Sequence, residues 1–211
     1  MRTKIVYVAN SKHKREENKA FCKECKLANG RRVGEVFEFE FYDTPVLQVL
    51  EVDIETLVRK AVSASYSEVR RPCIVEYAGL IFDRYSGKSY PGGLTKAMWN
   101  ALGSEFVRET NCSGQRATAK AAVAYCDGKK TMVFTGETTG TIAPCPRGDR
   151  KFYWDTVFQP DEPGRRRRRT YSEIVKEDGL EYKMRELSQS GRAMLLLLDF
   201  LVENPSSGLW R

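Results

Sequence analysis

The chain has 211 residues, a length that fits one domain or one domain with two lobes. Lysine plus arginine number 35 and aspartate plus glutamate 28, so the formal net charge is +7. Hydrophobic residues make up 41% and charged residues 30%, which excludes a disordered or collagen-like chain. Because five basic residues form one run, Arg165–Arg169, the remaining charge is nearly balanced and predicts no extended nucleic-acid-binding face. The excess favours a small anionic ligand, such as a nucleotide held in one pocket.

The first half of the sequence alternates between segments with the period of a strand and segments with the period of a helix. The expected strands lie at residues 4–9, 35–41 and 72–82. The expected helices lie at residues 13–25, 53–64 and 94–102, with a loop at 86–93.

The second half predicts antiparallel strands followed by helices. Strands are expected at residues 117–125, 131–135 and 136–143, and Asp127-Gly128 is a hairpin turn signal. An aromatic-rich segment, a loop rich in proline, glycine and arginine, and a final helix or helix pair follow at residues 151–158, 160–170 and 180–202. This order of elements indicates a mixed α/β fold.

Two of the six cysteines, Cys22 and Cys25, form a single CxxC pair. A zinc site needs two further ligands, and the one histidine of the chain is His13, so two ordinary reduced cysteines are the favoured interpretation. The first residues lack the pattern of a signal peptide, and no apolar run approaches the ~20 residues of a membrane span. We therefore expect a cytoplasmic protein.

The first candidate site lies where the first strand passes into the first helix. Asn10 ends the strand, and Lys12, His13 and Lys14 open the helix. A helix N-terminus offers unpaired N–H groups and a partial positive charge, and lysines add charges for phosphates. The segment therefore suits an anion, while the alternative is a solvated helix face.

Two further features suit a nucleotide and its metal. Aromatic residues beside an acid at 152–155 suit stacking on a base with hydrogen bonding to its edge, or else an aromatic core cluster. Glu76 interrupts an apolar strand, and a buried carboxylate is costly unless it is paired or binds a metal such as Mg²⁺. The alternative for Glu76 is a half-exposed position on an edge strand.

Five segments, in this order, resemble the motifs of the inosine triphosphate pyrophosphatase family, the Ham1-like XTP/dITP diphosphatases. Residues 136–161, GETTGTIAPCPRGDRKFYWDTVFQPD, are similar to that family's G-x-x-x-G-x-I…RG…FGWDP-x-F-x-P segment. The other segments are VANSKHKREE (8–17), PGGLTKAMWNALG (91–103), TYSE (170–173) and LSQSGRAM (187–194). They resemble T-x-N-x-x-K-x-x-E, P-G-x-Y followed by a helix, T-Y-A-E and S-H-R-x-x-A-L.

The resemblance implies an elongated mixed α/β sheet in two lobes, with a central nucleotide-binding cleft and the whole chain, residues 1–211, in one such domain. It implies hydrolysis of ITP, dITP or XTP to the monophosphate and pyrophosphate, with Mg²⁺, in a protein that is usually a dimer. Carried over by motif, the nucleotide-binding residues are Asn10, Lys12, His13, Lys14, Lys60, Phe152, Trp154, Asp155, Gln189 and Ser190.

The sequence departs from the family at the positions that carry the chemistry. Tyr77 falls on the water-activating aspartate and Val46 on a metal-binding glutamate, which leaves Glu76 as the candidate metal ligand and catalytic carboxylate. Gln189 and Ser190 fall on the histidine and arginine that contact the base, and a lysine is expected near Met184. A tyrosine is a poor base at neutral pH, and a valine side chain cannot bind Mg²⁺.

These losses favour a catalytically degenerate sensor of a dITP-like nucleotide that signals to a partner effector. The chain resembles Ham1-like subunits that accompany a sirtuin-like NAD-consuming effector in bacterial antiphage defence, and Arg165–Arg169 or the CxxC region could contact such a partner. The first alternative is an active Mg²⁺-dependent pyrophosphatase, in which Asp43 or Glu51 joins Glu76. The second alternative is an interaction module that no longer binds nucleotides.

Overall fold

The computed structural model describes residues 2–45, 49–149 and 153–204. Its described strands form one mixed sheet in the order β2-β1-β3-β4-β5-β6. β1 is parallel to β2 and β3, and the remaining neighbours are antiparallel. The strands are β1 (Thr3–Val8), β2 (Phe37–Tyr42), β3 (Cys73–Phe82), β4 (Arg116–Cys126), β5 (Thr131–Ile142) and β6 (Phe158–Pro160).

Helices cover both faces of this sheet, which confirms the mixed α/β prediction. They are α1 (Lys12–Glu24), α2 (Val33–Val36), α3 (Ile54–Val69), α4 (Thr95–Leu102), α5 (Phe106–Glu109), α6 (Tyr171–Asp178), α7 (Leu180–Tyr182) and α8 (Gln189–Glu203). No helix among the described ranges is long and apolar enough to cross a membrane.

The two strands predicted at 131–135 and 136–143 are one continuous strand, β5. It stays in register with β4 through its glycines, with Gly136 opposite Ala121 and Gly140 opposite Ala117. A Cβ atom on Gly136 would lie 2.2 Å from the carbonyl oxygen of Gln189 in α8. The glycine therefore permits the close approach of a helix and does not end the strand.

Helix α6 was not predicted, although its first residues carry a cap. The Thr170 side chain accepts a hydrogen bond from the Glu173 backbone N–H, and the Glu173 side chain accepts one from the Thr170 N–H. This reciprocal capping box satisfies two donors that the helix itself cannot pair. The Thr-x-x-Glu spacing was therefore a usable helix signal within the motif at 170–173.

Alternate side chains of the strands divide the core between the two faces of the sheet. Ile5 and Tyr7 belong to the cluster that packs against α1 and α8, whereas Val6 and Val8 belong to the cluster on α3. A third cluster lies at the far end of the long strands and includes Trp154. This third cluster is the core of the second lobe.

The cleft begins where two parallel strands separate. β1 pairs with β3 only at Val6–Cys73 and Tyr7–Ile74. Beyond these pairs β1 passes into α1, while β3 continues toward the second lobe. The carboxyl end of β1 and the middle of β3 therefore face a common opening, the position at which open α/β sheets bind ligands.

Candidate nucleotide-binding cleft

The opening between the two lobes is a cleft of about 880 Å³, including its mouth. Its walls come from the end of β1, the start of α1, the middle of β3, the turn before α4 and the segment before β6. The lining residues are Val8, Ala9, Asn10, Ser11, Lys14, Pro45, Glu76, Tyr77, Ala78, Gly93, Lys96, Tyr153 and Trp154.

Glu76 is the one carboxylate among the described residues that line this cleft. It lies on β3, an inner strand, and is 9% exposed, so the half-exposed edge position is excluded. Its Oε1 accepts hydrogen bonds from Lys14 Nζ at 2.8 Å and Ser190 Oγ at 2.7 Å, and its Oε2 accepts one from the Tyr7 hydroxyl at 2.5 Å. Both carboxylate oxygens are therefore bonded to the protein.

Two tyrosines in this region remain protonated at neutral pH. Burial raises the pKa of Tyr7 well above its usual value, and the neighbouring Glu76 carboxylate raises it further, so the Tyr7 hydroxyl stays a donor. Burial also raises the pKa of Tyr77 to about 12. Tyr77 is therefore a neutral phenol that cannot accept a proton from water near pH 7.

The described residues do not fit a resident Mg²⁺ ion. The ion prefers near-octahedral oxygen ligands, and a metal at Glu76 would have to displace the bound Lys14. Within the described ranges, no three Asp, Glu, His or Cys side chains are grouped to hold a metal. Asp43 pairs with Arg15 at 3.1 Å and Glu51 with Lys60 at 3.6 Å, and neither carboxylate lines the cleft.

Two of the described residues that line the cleft are lysines, Lys14 and Lys96, and the sequence analysis named Lys14. Lys14 projects from the first turn of α1, whose first turn carries no acidic residue. Lys96 opens α4 and was missed, although it follows Pro91-Gly92-Gly93 in a segment that resembles a family motif. That turn is held close: a Cβ on Gly93 would lie 2.3 Å from the Glu51 carbonyl oxygen, so only glycine fits.

Three other predicted phosphate contacts lie outside the cleft lining. Lys12 is exposed, and His13 Nδ1 is 3.7 Å from Glu16 Oε2. The Lys60 side chain is half-exposed beside Glu51. Asn10, by contrast, lines the cleft. Among the described residues, Lys14 and Lys96 are therefore the cationic side chains that line the cleft, next to the N-terminus of α1.

The aromatic wall comes from the short 3₁₀ turn Tyr153–Thr156. Tyr153 and Trp154 both line the cleft, and Lys96 Nζ is 5.6 Å from the centre of the Tyr153 ring. Trp154 also packs edge-to-face on Phe158, so it belongs to the core and to the cleft wall at once. Phe152 and Val46, both singled out in the sequence, lie outside the described residues.

Asp155 is buried with a lysine instead of facing the cleft directly. Its Oδ2 is 2.7 Å from Lys183 Nζ, which is also 3.0 Å from Glu17 Oε1. Lys183, which flanks Met184, is the lysine that occupies this buried position, and it opens the π-helical turn Lys183–Leu187. Such a turn absorbs one extra residue within a helix, and periodicity alone does not predict it.

Gln189 and Ser190, predicted to contact the base, are buried at the start of α8. Gln189 Oε1 is 3.0 Å from the Tyr171 hydroxyl, and Ser190 donates to Glu76. Neither lines the main cleft. Ser190 borders a smaller cavity, which shares Lys14 and Glu76 with the cleft.

The two segments proposed as partner surfaces have internal contacts. Cys25 is buried with its thiol 3.7 Å from the Met184 carbonyl, and burial raises the pKa of Cys22 to about 11 and of Cys25 to about 12. Neither thiol is therefore a thiolate at neutral pH. Arg169 is buried among three carboxylates, those of Glu162, Glu177 and Asp178.

Comparisons with known proteins agree with this geometry. The chain is 37% identical over 134 residues to the inosine triphosphate pyrophosphatase of Kluyveromyces lactis, covering 62% of this chain and 64% of that protein. It is 30% identical over 164 residues to the dITP/XTP pyrophosphatase of Hyperthermus butylicus, covering 76% and 80%. The solved Ham1 protein of Staphylococcus aureus superposes with a TM-score of 0.63 at 18% identity, covering 96% of this chain and all of that one. The Ham1 family model matches residues 5–200, and the chain therefore belongs to the Ham1 family.

Proposed function

We propose that this Ham1-family chain binds a non-standard purine nucleoside triphosphate, of the ITP or dITP kind, in the cleft between its lobes. The observation that carries the proposal is the composition of the cleft wall. Tyr153 is partly exposed and offers an aromatic ring for a base, beside the buried Trp154. Lys14 and Lys96 offer cations for phosphates. The names of the relatives, which refer to ITP, dITP and XTP, support this class of nucleotide.

We further propose that the bound nucleotide is hydrolysed slowly or not at all. Pyrophosphate release needs an activated water and a stabilised leaving group. Tyr77 is a neutral phenol at the position where the family carries a carboxylate, and both oxygens of Glu76 are occupied by Lys14, Ser190 and Tyr7. The described residues therefore suit binding better than turnover.

The alternative is an active pyrophosphatase that converts dITP, ITP or XTP to the monophosphate and pyrophosphate with Mg²⁺. The names of the relatives favour this alternative, since both describe pyrophosphatases. It requires Glu76 to exchange Lys14 for a metal ion when the nucleotide arrives. Mg²⁺ would then enter together with the triphosphate, whose oxygens supply further ligands.

A nucleotide that is bound and not consumed can hold a protein in one state, because a ligand shifts an equilibrium by its difference in affinity for the two states. We therefore extend the proposal to a sensor that signals to a partner protein, as a homodimer or a hetero-complex. The resemblance supports a sirtuin-like effector and an antiphage role by analogy. We also propose that residues 1–211 act as one two-lobed unit, since a single sheet joins both lobes.

The experiment that separates these functions combines calorimetry with a pyrophosphate assay on the purified chain. Under the proposal, dITP with Mg²⁺ gives binding heat, dATP binds more weakly, and pyrophosphate release stays far below about 1 s⁻¹, the low end of typical enzyme turnover. Turnover at or above that rate would establish the pyrophosphatase. Absence of heat with dITP, ITP and dATP would instead indicate an interaction module without nucleotide binding.

A further inference from the structure

The contact between Lys14 and Glu76 has a consequence for how the cleft holds a triphosphate. We propose that Lys14 supplies the fixed cation beside Glu76, so that this chain binds a purine nucleoside triphosphate without requiring a divalent metal ion. The inference rests on the proposed function, because it concerns the same cleft. It adds that the affinity for the nucleotide survives removal of the metal.

The geometry places the Lys14 ammonium where it meets both the carboxylate and the cleft. Lys14 Nζ is 2.8 Å from Glu76 Oε1, and its side chain is 18% exposed. Lys14 borders both the main cleft and the smaller cavity behind it. The ammonium group therefore contacts Glu76 and can also reach the opening. Its three N–H donors can bind a carboxylate and a phosphate at the same time.

Three hydrogen-bond donors of the protein oppose the binding of a metal ion to Glu76. Besides Lys14, the Ser190 hydroxyl donates to Oε1 and the Tyr7 hydroxyl to Oε2. The pKa of Tyr7 is raised by burial and then by Glu76, so the tyrosine stays a donor over the physiological range. A metal ion would have to break charge-assisted bonds in a buried site to gain one carboxylate, and Mg²⁺ sheds its own water reluctantly.

The remaining charges of the cleft are consistent with direct binding of a polyanion. The described lining residues include two lysines, Lys14 and Lys96, and one carboxylate, Glu76. The wall also includes Asn10 and Ser11 at the start of α1, a helix of 13 residues whose N-terminus carries a partial positive charge. Positive charge therefore exceeds negative charge before any metal ion is added.

The test is calorimetric titration of the full chain with ITP, once in EDTA and once with excess Mg²⁺. We expect the dissociation constant in EDTA to equal the value in Mg²⁺ or to be lower, since Mg²⁺ neutralises phosphate charge that the lysines would otherwise meet. Binding in Mg²⁺ alone would overturn this inference and leave the proposed function intact. Binding in neither condition would overturn both.

Substitution of Lys14 provides the second arm. Lys14→Met should weaken ITP binding in EDTA by about tenfold or more, the loss expected for a charge-assisted hydrogen bond, and Mg²⁺ should restore part of it. The matched control is Lys19→Met, which removes an exposed lysine of the same helix and should leave both constants unchanged. An unchanged affinity of Lys14→Met in EDTA would overturn the inference.

Glu76→Gln keeps the inference testable if Lys14→Met fails to fold. The amide removes the negative charge and leaves the Lys14 ammonium for the nucleotide, so affinity in EDTA should stay the same or increase. The affinity in Mg²⁺ should be retained as well. A metal ion held by Glu76 predicts instead that Glu76→Gln loses affinity in Mg²⁺ and not in EDTA. That result would overturn the role assigned to Lys14.

Discussion

The lysines of the cleft and the arginines of 165–169 contribute the same kind of charge, yet the fold uses them differently. Arg169 is buried among carboxylates, and Arg165 and Arg167 pair with acids of α6. Lys14 and Lys96 instead face an opening that holds one carboxylate among its described lining residues. The net charge of +7 thus includes two groups of basic residues with different surroundings. Arg169 is enclosed by acids of the fold, whereas Lys14, which is paired with one acid, also borders a cavity that can admit a ligand.

The largest effect should come from breaking the arginine cluster. Arg169→Ala removes a side chain that is 4% exposed and bonded to Glu162 at 2.6 Å, which leaves the equally buried Glu162 carboxylate without its cation. Removing one partner of such a buried pair typically costs about 3 kcal/mol or more in the free energy of unfolding. Chemical denaturation should show this loss, while Arg166→Ala, at an exposed position, should change the value by no more than about 0.5 kcal/mol. Equal free energies of unfolding for the two variants would contradict a stabilising role of the buried arginine.

The next effect concerns the aromatic wall of the cleft. Tyr153→Leu should weaken ITP binding by about tenfold or more, because stacking of a base on an aromatic ring is worth roughly 1–3 kcal/mol. The control is Trp99→Leu, since Trp99 is partly buried against the same core cluster as Tyr153, packs on Phe106 and does not line the cleft. Calorimetry should separate the two variants in affinity, and thermal unfolding measures the packing that each has lost. Equal affinities in both would refute a base position on Tyr153.

Substitution of Lys96 should have a smaller effect on nucleotide binding in the same cleft. Lys96→Met should raise the dissociation constant for ITP by about tenfold, because it removes one charge-assisted contact to phosphate. Lys88→Met, on the preceding exposed turn, is the matched control and should bind ITP as the natural chain does. If both variants bind equally well, Lys96 belongs with the solvated surface and not with the ligand.

The smallest effect belongs to the surface near the arginine cluster. A hydrogen bond from Arg116 lowers the pKa of Asp161, so the ionised pair stabilises the folded state above pH ~4, and this contribution is lost as the pH falls below that value through the lowered pKa of the folded state. Because both side chains are nearly half exposed, we expect less than 1 kcal/mol. The free energies of unfolding of Asp161→Asn and the natural chain should differ at pH 7, and this difference should shrink as the pH falls below about 4. A difference that stays constant with falling pH would contradict this origin.

Local pattern predicted most of the fold and part of the site. Strand and helix periods located β1, α1, α3, β3 and β4 to within a few residues, and the motif order singled out Asn10 and Trp154, which line the cleft. Spacing did not predict what depends on distant partners. Glu76 meets Tyr7 and Ser190, which lie 69 and 114 residues away along the chain. Lys183 lies buried in a π-helical turn and Gly136 of β5 lies against α8, and local periodicity predicts neither feature.

The central claim is that the cleft holds a purine nucleoside triphosphate that the chain does not consume. The most direct measurement mixes dITP and Mg²⁺ with a molar excess of the chain, then denatures the mixture and separates the nucleotides by chromatography. The account predicts that dITP, bound before denaturation, is recovered intact after many minutes. Recovery as the monophosphate with an equal amount of pyrophosphate would contradict it and identify the chain as an active pyrophosphatase.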